Sequence, residues 1–87
     1  MKCSVYIIKS EINGFFYIGS SRNPIIRALE HNKGKTRATR NKGPWKIVFT
    51  QEYANNIDAR RVEYKLKQWK SRKILEKIIE DGFIKVS

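Results

Sequence analysis

Cys3-Ser4-Val5-Tyr6-Ile7-Ile8-Lys9 is followed, after a short break, by Asn13-Gly14 and then by Phe15-Phe16-Tyr17-Ile18-Gly19-Ser20. Both runs are rich in β-branched and aromatic residues, which suit a pleated, half-buried surface. Asn13-Gly14 favours the positive φ angles of a tight hairpin turn. The stretch therefore predicts two antiparallel strands, over 3–9 and 15–20. Side chains alternate across a sheet, so directly opposed residues share a face. A two-residue turn at Asn13-Gly14 sets Tyr6 opposite Ser21 and leaves Tyr17 on that same face. A longer loop that sets Tyr6 against Tyr17 gives the same result, and only a slip by one residue separates the two phenols. Two strand aromatics need no function of their own, so this pair counts only in company.

Downstream, Asn23 is a good N-cap and Pro24 fits the first helical position. Ile25, Ile26 and Leu29 then form the apolar stripe of a first helix running to about Asn32. Residues 32–44, with Gly34 and Gly43, predict a loop, and residues 45–53 return to strand character around Ile47-Val48-Phe49. A second helix is expected from near Asp58, with Val62, Leu66 and Trp69 on its core side. Ser71 caps a third helix carrying Ile74, Leu75, Ile78 and Ile79, and Gly82 stops it. Residues 83–86 then form a short tail or edge strand. The order ββαβαα predicts an α+β fold, a mostly antiparallel sheet of three strands flanked by helices.

With 87 residues, 40% of them hydrophobic, the chain makes one small domain with enough apolar material for a core. Cys3 is its sole cysteine, which excludes an internal disulfide framework and a cysteine-built zinc site. The opening apolar run is too short for a signal-peptide core, and nothing approaches the ~20 apolar residues of a membrane span. A cytoplasmic setting is expected, with no membrane partner.

Charge narrows the partner. Nineteen Lys and Arg stand against eight Asp and Glu, a formal net charge of +11. Basic side chains neutralise phosphates and release condensed counterions, so nucleic acid is the expected partner and an anionic membrane surface a weaker one. A merely solubilising surface would intersperse both signs. Here Lys33, Lys35, Arg37, Arg40 and Lys42 share one loop without an acid, which marks it as the nucleic-acid-binding segment.

Three further residues carry candidate chemistry. Arg27 and His31 are four apart, hence neighbours on the first helix, and lie off its Ile25, Ile26 and Leu29 side. A guanidinium offers bidentate donors to a phosphate, and an imidazole accepts a proton near neutral pH. A solvated helix face would look the same. Glu63 sits beside Val62 at the edge of the second helix's buried face, and the bland alternative is an ion pair with Lys67. Gly34-Lys35-Thr36 lacks the earlier glycine and the leading strand of a phosphate-binding P-loop. Trp45 is expected to pack at its strand start, base stacking being the alternative.

Ser4-Val5-Tyr6 followed by Tyr17-Ile18-Gly19 resembles the paired motif that names the GIY-YIG nucleases, at a typical separation. Arg27, His31 and Glu63 fall where that family has its helix-one arginine, the His or Tyr one turn on, and the glutamate of the later helix. The resemblance spans nearly the whole chain, as a single domain over 1–87, and is nearest to small stand-alone bacterial members. Ser4 and Val5 depart from the family's glycine and isoleucine, a change of backbone packing more than of chemistry. The resemblance implies a DNA endonuclease that hydrolyses phosphodiester bonds with one divalent cation, Mg²⁺ or Mn²⁺, held by Glu63. The remaining acids form no cluster suited to two metals. Tyr17 is then the first candidate for general base, with Tyr6 and His31 supporting or replacing it, and Arg27 stabilises the charge on phosphorus. One short basic loop offers little base-specific readout, which favours structure-selective cutting, with RNA open as a second substrate. A catalytically inactive binding module of the same fold is the alternative.

Overall fold

The computed structural model describes residues 2–69 and 71–84. Strands β1 (Cys3–Ser10), β2 (Phe16–Ser21) and β3 (Trp45–Tyr53) make one antiparallel sheet in the order β2-β1-β3. Helices α1 (Pro24–Asn32), α2 (Asn56–Trp69) and α3 (Arg72–Asp81) complete the predicted order ββαβαα. β1 takes the centre because it is apolar on both faces: Val5, Ile7 and Ile8 are fully buried. Each contributes about 1.5–3 kcal/mol relative to an exposed position.

The sheet separates two cores. On one face Cys3, Val5, Ile7, Ile18 and Phe49 pack against Ala59, Val62 and Leu66 of α2 and Leu75 and Ile78 of α3. On the other, Tyr6, Ile8, Tyr17, Trp45 and Ile47 pack against Ala28 of α1. A bulge lets β3 serve both: Ile7 pairs with Phe49 but Ile8 with Ile47, so Val48 is the extra residue and the strand turns over there.

The hairpin register falls between the two predicted ones. Tyr6 stands opposite Gly19 and Tyr17 opposite Ile8. The loop comprises residues 11–14, closed by the Ser10 N–H on the Phe15 carbonyl at 2.9 Å. Ser10 Oγ accepts from the N–H groups of Ile12 at 3.2 Å and Asn13 at 3.3 Å, so Asn13-Gly14 ends a longer turn instead of forming its centre. Gly14 supplies the left-handed residue, φ 75°. Parity survives, and both phenols lie on the α1 face.

Each helix begins on a side-chain cap. Asn23 Oδ1 accepts from Ile26 N at 3.2 Å with Pro24 at the first position, and Ser71 Oγ accepts from Ile74 N at 3.3 Å. Asn55 Oδ1 accepts from Asp58 N at 2.8 Å, which starts α2 at Asn56, ahead of Asp58. Such caps contribute about 1 kcal/mol each. Gly82, at φ 82°, ends α3 as expected.

Two expectations need correction. Ile25, Ile26 and Leu29 face solvent, at 68%, 55% and 54% exposure, while Ala28 and His31 face the sheet. The seat under α1 is already filled by aromatic rings, and its polar atoms draw the histidine inward, so the helix turns its apolar stripe out. Trp69 is exposed although Val62 and Leu66 are buried; as the last residue of α2, its ring lies along a cleft with Ile74, Ile78, Phe83 and Ile84 instead of on the sheet. Of the two alternatives for the C-terminal segment, Phe83 and Ile84 take the tail and not the edge strand, the Ile84 N–H bonding the Gln51 side chain at 2.7 Å. Residues 85 and 86 lie outside the described residues.

Candidate active site

Tyr6 is the hub. Its position on the central strand points its ring at α1, and it passes over Gly19 of β2 to do so: a Cβ at Gly19 would stand 2.5 Å from Tyr6 Cζ and closer still to Oη. The phenol is 1% exposed. Oη lies 2.9 Å from His31 Nε2, and the Arg27 guanidinium is close enough to act on it electrostatically. Burial, then the neighbouring Tyr17 phenol, push the Tyr6 hydroxyl up to about 12, against the opposing influence of Arg27. The charge of Glu63 pushes the same way, so the carboxylate also reaches this hydroxyl electrostatically.

His31 faces the sheet at 1% exposure, contrary to the solvated alternative and to direct contact with an anion. Its ring lies between the phenols, 4.8 Å from Tyr17 and 5.9 Å from Tyr6 between centroids. Nδ1 is 2.7 Å from Thr39 Oγ1. Burial first, and Arg27 second, hold the imidazole below its ordinary value, with Glu30 opposing, so it is neutral at pH 7. Arg27 bonds Glu30 Oε1 at 3.0 Å, and that bond raises its already high value. About a third of its side chain stays exposed. Tyr17 is half-buried, and among the described residues its hydroxyl has no hydrogen bond.

Glu63 approaches from the opposite side of the sheet, around the open edge at β2. Ser20 donates to Oε1 at 2.6 Å and the Lys67 ammonium to Oε2 at 2.6 Å. Lys67 Nζ also lies 5.7 Å from the centre of the Tyr17 ring, closing the circuit between carboxylate and phenol. The Lys67 pair foreseen as the bland alternative is thus present. Glu63 is not on a free helix face, though, since its side chain is 19% exposed and anchored to β2.

All five candidates, Tyr6, Tyr17, Arg27, His31 and Glu63, therefore meet at the β2 edge. Gly19, Ser20 and Thr39 join them. Ser20 was open to the parity argument, since it points away from Tyr17 and toward α2; Thr39 had no local signal. Lys33, Lys35, Arg37, Arg40 and Lys42 are all exposed on the loop between α1 and β3. Arg40 Nε bonds the Gly34 carbonyl at 2.9 Å. Trp45 is buried, its Nε1 donating to the Thr39 carbonyl at 3.1 Å, so it packs at the strand start.

A three-stranded sheet whose first two strands bring paired tyrosines to one helix, with a glutamate from the next helix at its edge, defines a domain of the GIY-YIG type. The model of the family described as the GIY-YIG catalytic domain matches residues 2–77, and the chain belongs to that family. The chain is 38% identical over 79 residues to a "UPF0213 protein" of Aeromonas salmonicida, covering 90% of this chain and 57% of that one. It is 30% identical over 79 residues to a "UPF0213 protein" of Staphylococcus epidermidis, covering 90% and 94%. The solution NMR structure of the UPF0213 protein BH0048 from Bacillus halodurans superposes with a TM-score of 0.58 at 31% identity, over 92% of this chain and 84% of that one. The chain thus spans little more than half the length of the Aeromonas salmonicida relative. The family is one of nucleases that act on nucleic acids and are generally metal-dependent. No helix among the described residues is long and apolar enough to cross a membrane.

Proposed function

We propose that the chain is a DNA endonuclease that hydrolyses phosphodiester bonds with one divalent cation, Mg²⁺ or Mn²⁺, and that residues 1–87 act as a single nuclease domain. The observation that carries this is the convergence of two phenols, a guanidinium, a neutral imidazole and a carboxylate on one sheet edge of a basic domain. Each has a separate part in phosphoryl transfer.

The donor set fits a hard cation. Glu63 offers one carboxylate, which already holds a cationic group at 2.6 Å, with the Ser20 hydroxyl beside it. Among the described residues no three His, Cys, Asp or Glu converge. A single carboxylate suits Mg²⁺, which keeps several waters and shares phosphate oxygens with its substrate. Glu63 would hold the ion, and Lys67 must swing off Oε2 to admit it. When bound, the ion neutralises charge on the scissile phosphate and on the leaving oxygen.

The chain's own groups divide the remaining work. Tyr17, half-buried and with its hydroxyl uncommitted, gives up its own proton to solvent, and the phenolate oxygen then takes the proton from the attacking water, whose oxygen forms the new bond to phosphorus as the bond to the leaving oxygen breaks. Tyr6 is too buried and too weakly acidic to do this directly; it holds the guanidinium and the imidazole in register. His31, neutral at pH 7, shares a hydrogen bond with the Tyr6 hydroxyl. Arg27 keeps its charge throughout and faces the extra negative charge that builds on phosphorus. The basic loop binds flanking phosphates, and with little scope for base readout the cutting follows DNA structure more than sequence.

A catalytically inactive nucleic-acid-binding module is the alternative, favoured by one contact, the Lys67 ammonium on Glu63. End-labelled single-stranded, duplex, flap, junction and RNA substrates, incubated with Mg²⁺, Mn²⁺ or chelator, separate the two. Metal-dependent scission supports the nuclease, and binding without scission in every arm supports the module.

A further inference from the structure

Thr39 stands in the middle of the basic loop, between Arg37 and Arg40, yet it is as buried as the central strand, at 1% exposure. Its atoms are all engaged. The N–H donates to the Thr36 carbonyl at 3.2 Å, and its own carbonyl accepts from the Lys42 N–H at 3.3 Å and from Trp45 Nε1 at 3.1 Å. Oγ1 lies 2.7 Å from His31 Nδ1 and donates to the Thr36 carbonyl at 3.4 Å. A loop built only to carry charge needs no such anchor, because loop backbone is ordinarily satisfied by water.

The hydroxyl has one hydrogen, and its placement decides the histidine's tautomer. With that hydrogen on the Thr36 carbonyl, Oγ1 is an acceptor and Nδ1 carries the imidazole proton. Nε2 is then left as an acceptor aimed at Tyr6. The Tyr6 hydroxyl then donates to Nε2, so the hydrogens of the threonine hydroxyl, the imidazole and the phenol all have partners inside the protein. The reverse arrangement gives Nε2 the proton and leaves the hydrogen of a 1% exposed phenol without an acceptor. Buried polar groups without partners cost about 1–3 kcal/mol, which favours the first arrangement. The charged and titratable groups around the ring are Tyr6 from β1, Tyr17 from β2, and Arg27 and Glu30 from α1. Among the described residues, Thr39 is the one loop residue bonded to the ring.

We propose that Thr39 is a positioning residue: it ties the phosphate-binding loop to His31 and fixes the imidazole with its proton on Nδ1, so that Nε2 accepts from Tyr6. The catalytic consequence rests on the nuclease reading of the site, whereas the tautomer itself does not. A loop seated by phosphates on Arg37 and Arg40 holds Thr39 against the ring, so substrate binding and the seat of the imidazole share one mechanical link.

The test uses ¹⁵N NMR of the imidazole in the whole chain, with Thr39→Val and Thr39→Ser beside the wild type. The wild type and Thr39→Ser should show Nδ1 protonated and Nε2 bare, and Thr39→Val should lose that preference. Cleavage by Thr39→Val should fall roughly tenfold to a hundredfold and be restored in Thr39→Ser, as for other groups that orient a functional histidine. Wild-type protein protonated on Nε2 overturns the proposal whether or not Thr39→Val folds. So does a Thr39→Val variant with unchanged tautomer. If no variant cuts DNA and the tautomer still follows the hydroxyl, the positioning role stands and the nuclease reading falls.

Discussion

The phenol of Tyr6 lies across Gly19, in the space a side chain would take. That close approach links the two halves of the paired motif physically, because Gly19 faces Tyr6 in the strand pairing and its bare backbone lets the ring reach His31. Gly19→Ala should therefore push the ring off its path, break the bond from Oη to Nε2 and destabilise the fold by about 1–3 kcal/mol, the usual cost of overpacking. Thermal melting reads the stability and a cleavage assay the loss of activity. An unshifted melt with full activity would show that the ring has another seat.

Tyr17→Phe removes only an oxygen that the fold does not use. Its melting should match wild type while single-turnover cleavage slows by ~10² to 10⁴-fold, the range for loss of a general base. Wild-type cleavage rates in this variant would move the proton acceptor to His31 or Tyr6.

His31 gives the fold a pH dependence of known sign. Its folded value lies below the ordinary 6.5, so the unfolded chain binds the proton more readily. The stabilisation is fully present above about 6.5 and is lost as the pH falls through the window between that value and the lower folded one. Denaturant melts at stepped pH should weaken on descending below 6.5, and His31→Phe should flatten that step. A histidine step of opposite sign would mean that the imidazole is held charged.

The basic loop sets how salt acts on binding. If ~4 to 6 phosphates are contacted, log affinity falls with log salt at a slope of about −4 to −5. Neutralising Lys35, Arg37 and Arg40 to Gln together should make the slope shallower by roughly 2 to 3 and weaken binding at low salt. Because Arg40 also bonds the Gly34 carbonyl, a small loss of stability should accompany it. Affinity measured by anisotropy across a salt series checks both, and an unchanged slope would move the contact surface elsewhere.

How much of this was visible in the chain depends on the period of the signal. Strand alternation is strictly two, so the shared face of Tyr6 and Tyr17 held even though the hairpin register did not, the Ser10 side chain having lengthened the turn. Helix caps are local chemistry, and Asn23, Ser71 and Gly82 could be read directly. The rotation of α1 could not. Apolar periodicity reports only where hydrophobic residues fall, and here the inward side carries Ala28 and a histidine whose partners, Tyr6 and Thr39, are remote in the chain. Trp69 failed for a related reason, since periodicity places a residue on a face but does not say where the sheet beneath that face ends.

The central claim is that Glu63 serves a cation used for cutting, and it is tested most directly in one variant. Glu63→Gln keeps the volume and the Ser20 contact but removes the charge that faces Lys67. An i, i+4 pair contributes no more than ~0.5 kcal/mol and the amide oxygen still accepts from Ser20, so the protein should stay folded. DNA binding should persist or tighten, because an acid has been removed from a basic surface. Mg²⁺-dependent cleavage should collapse. A gel that shows bound, uncut DNA with Glu63→Gln beside full cleavage by the wild type is the predicted result, and full cleavage by Glu63→Gln would contradict the account.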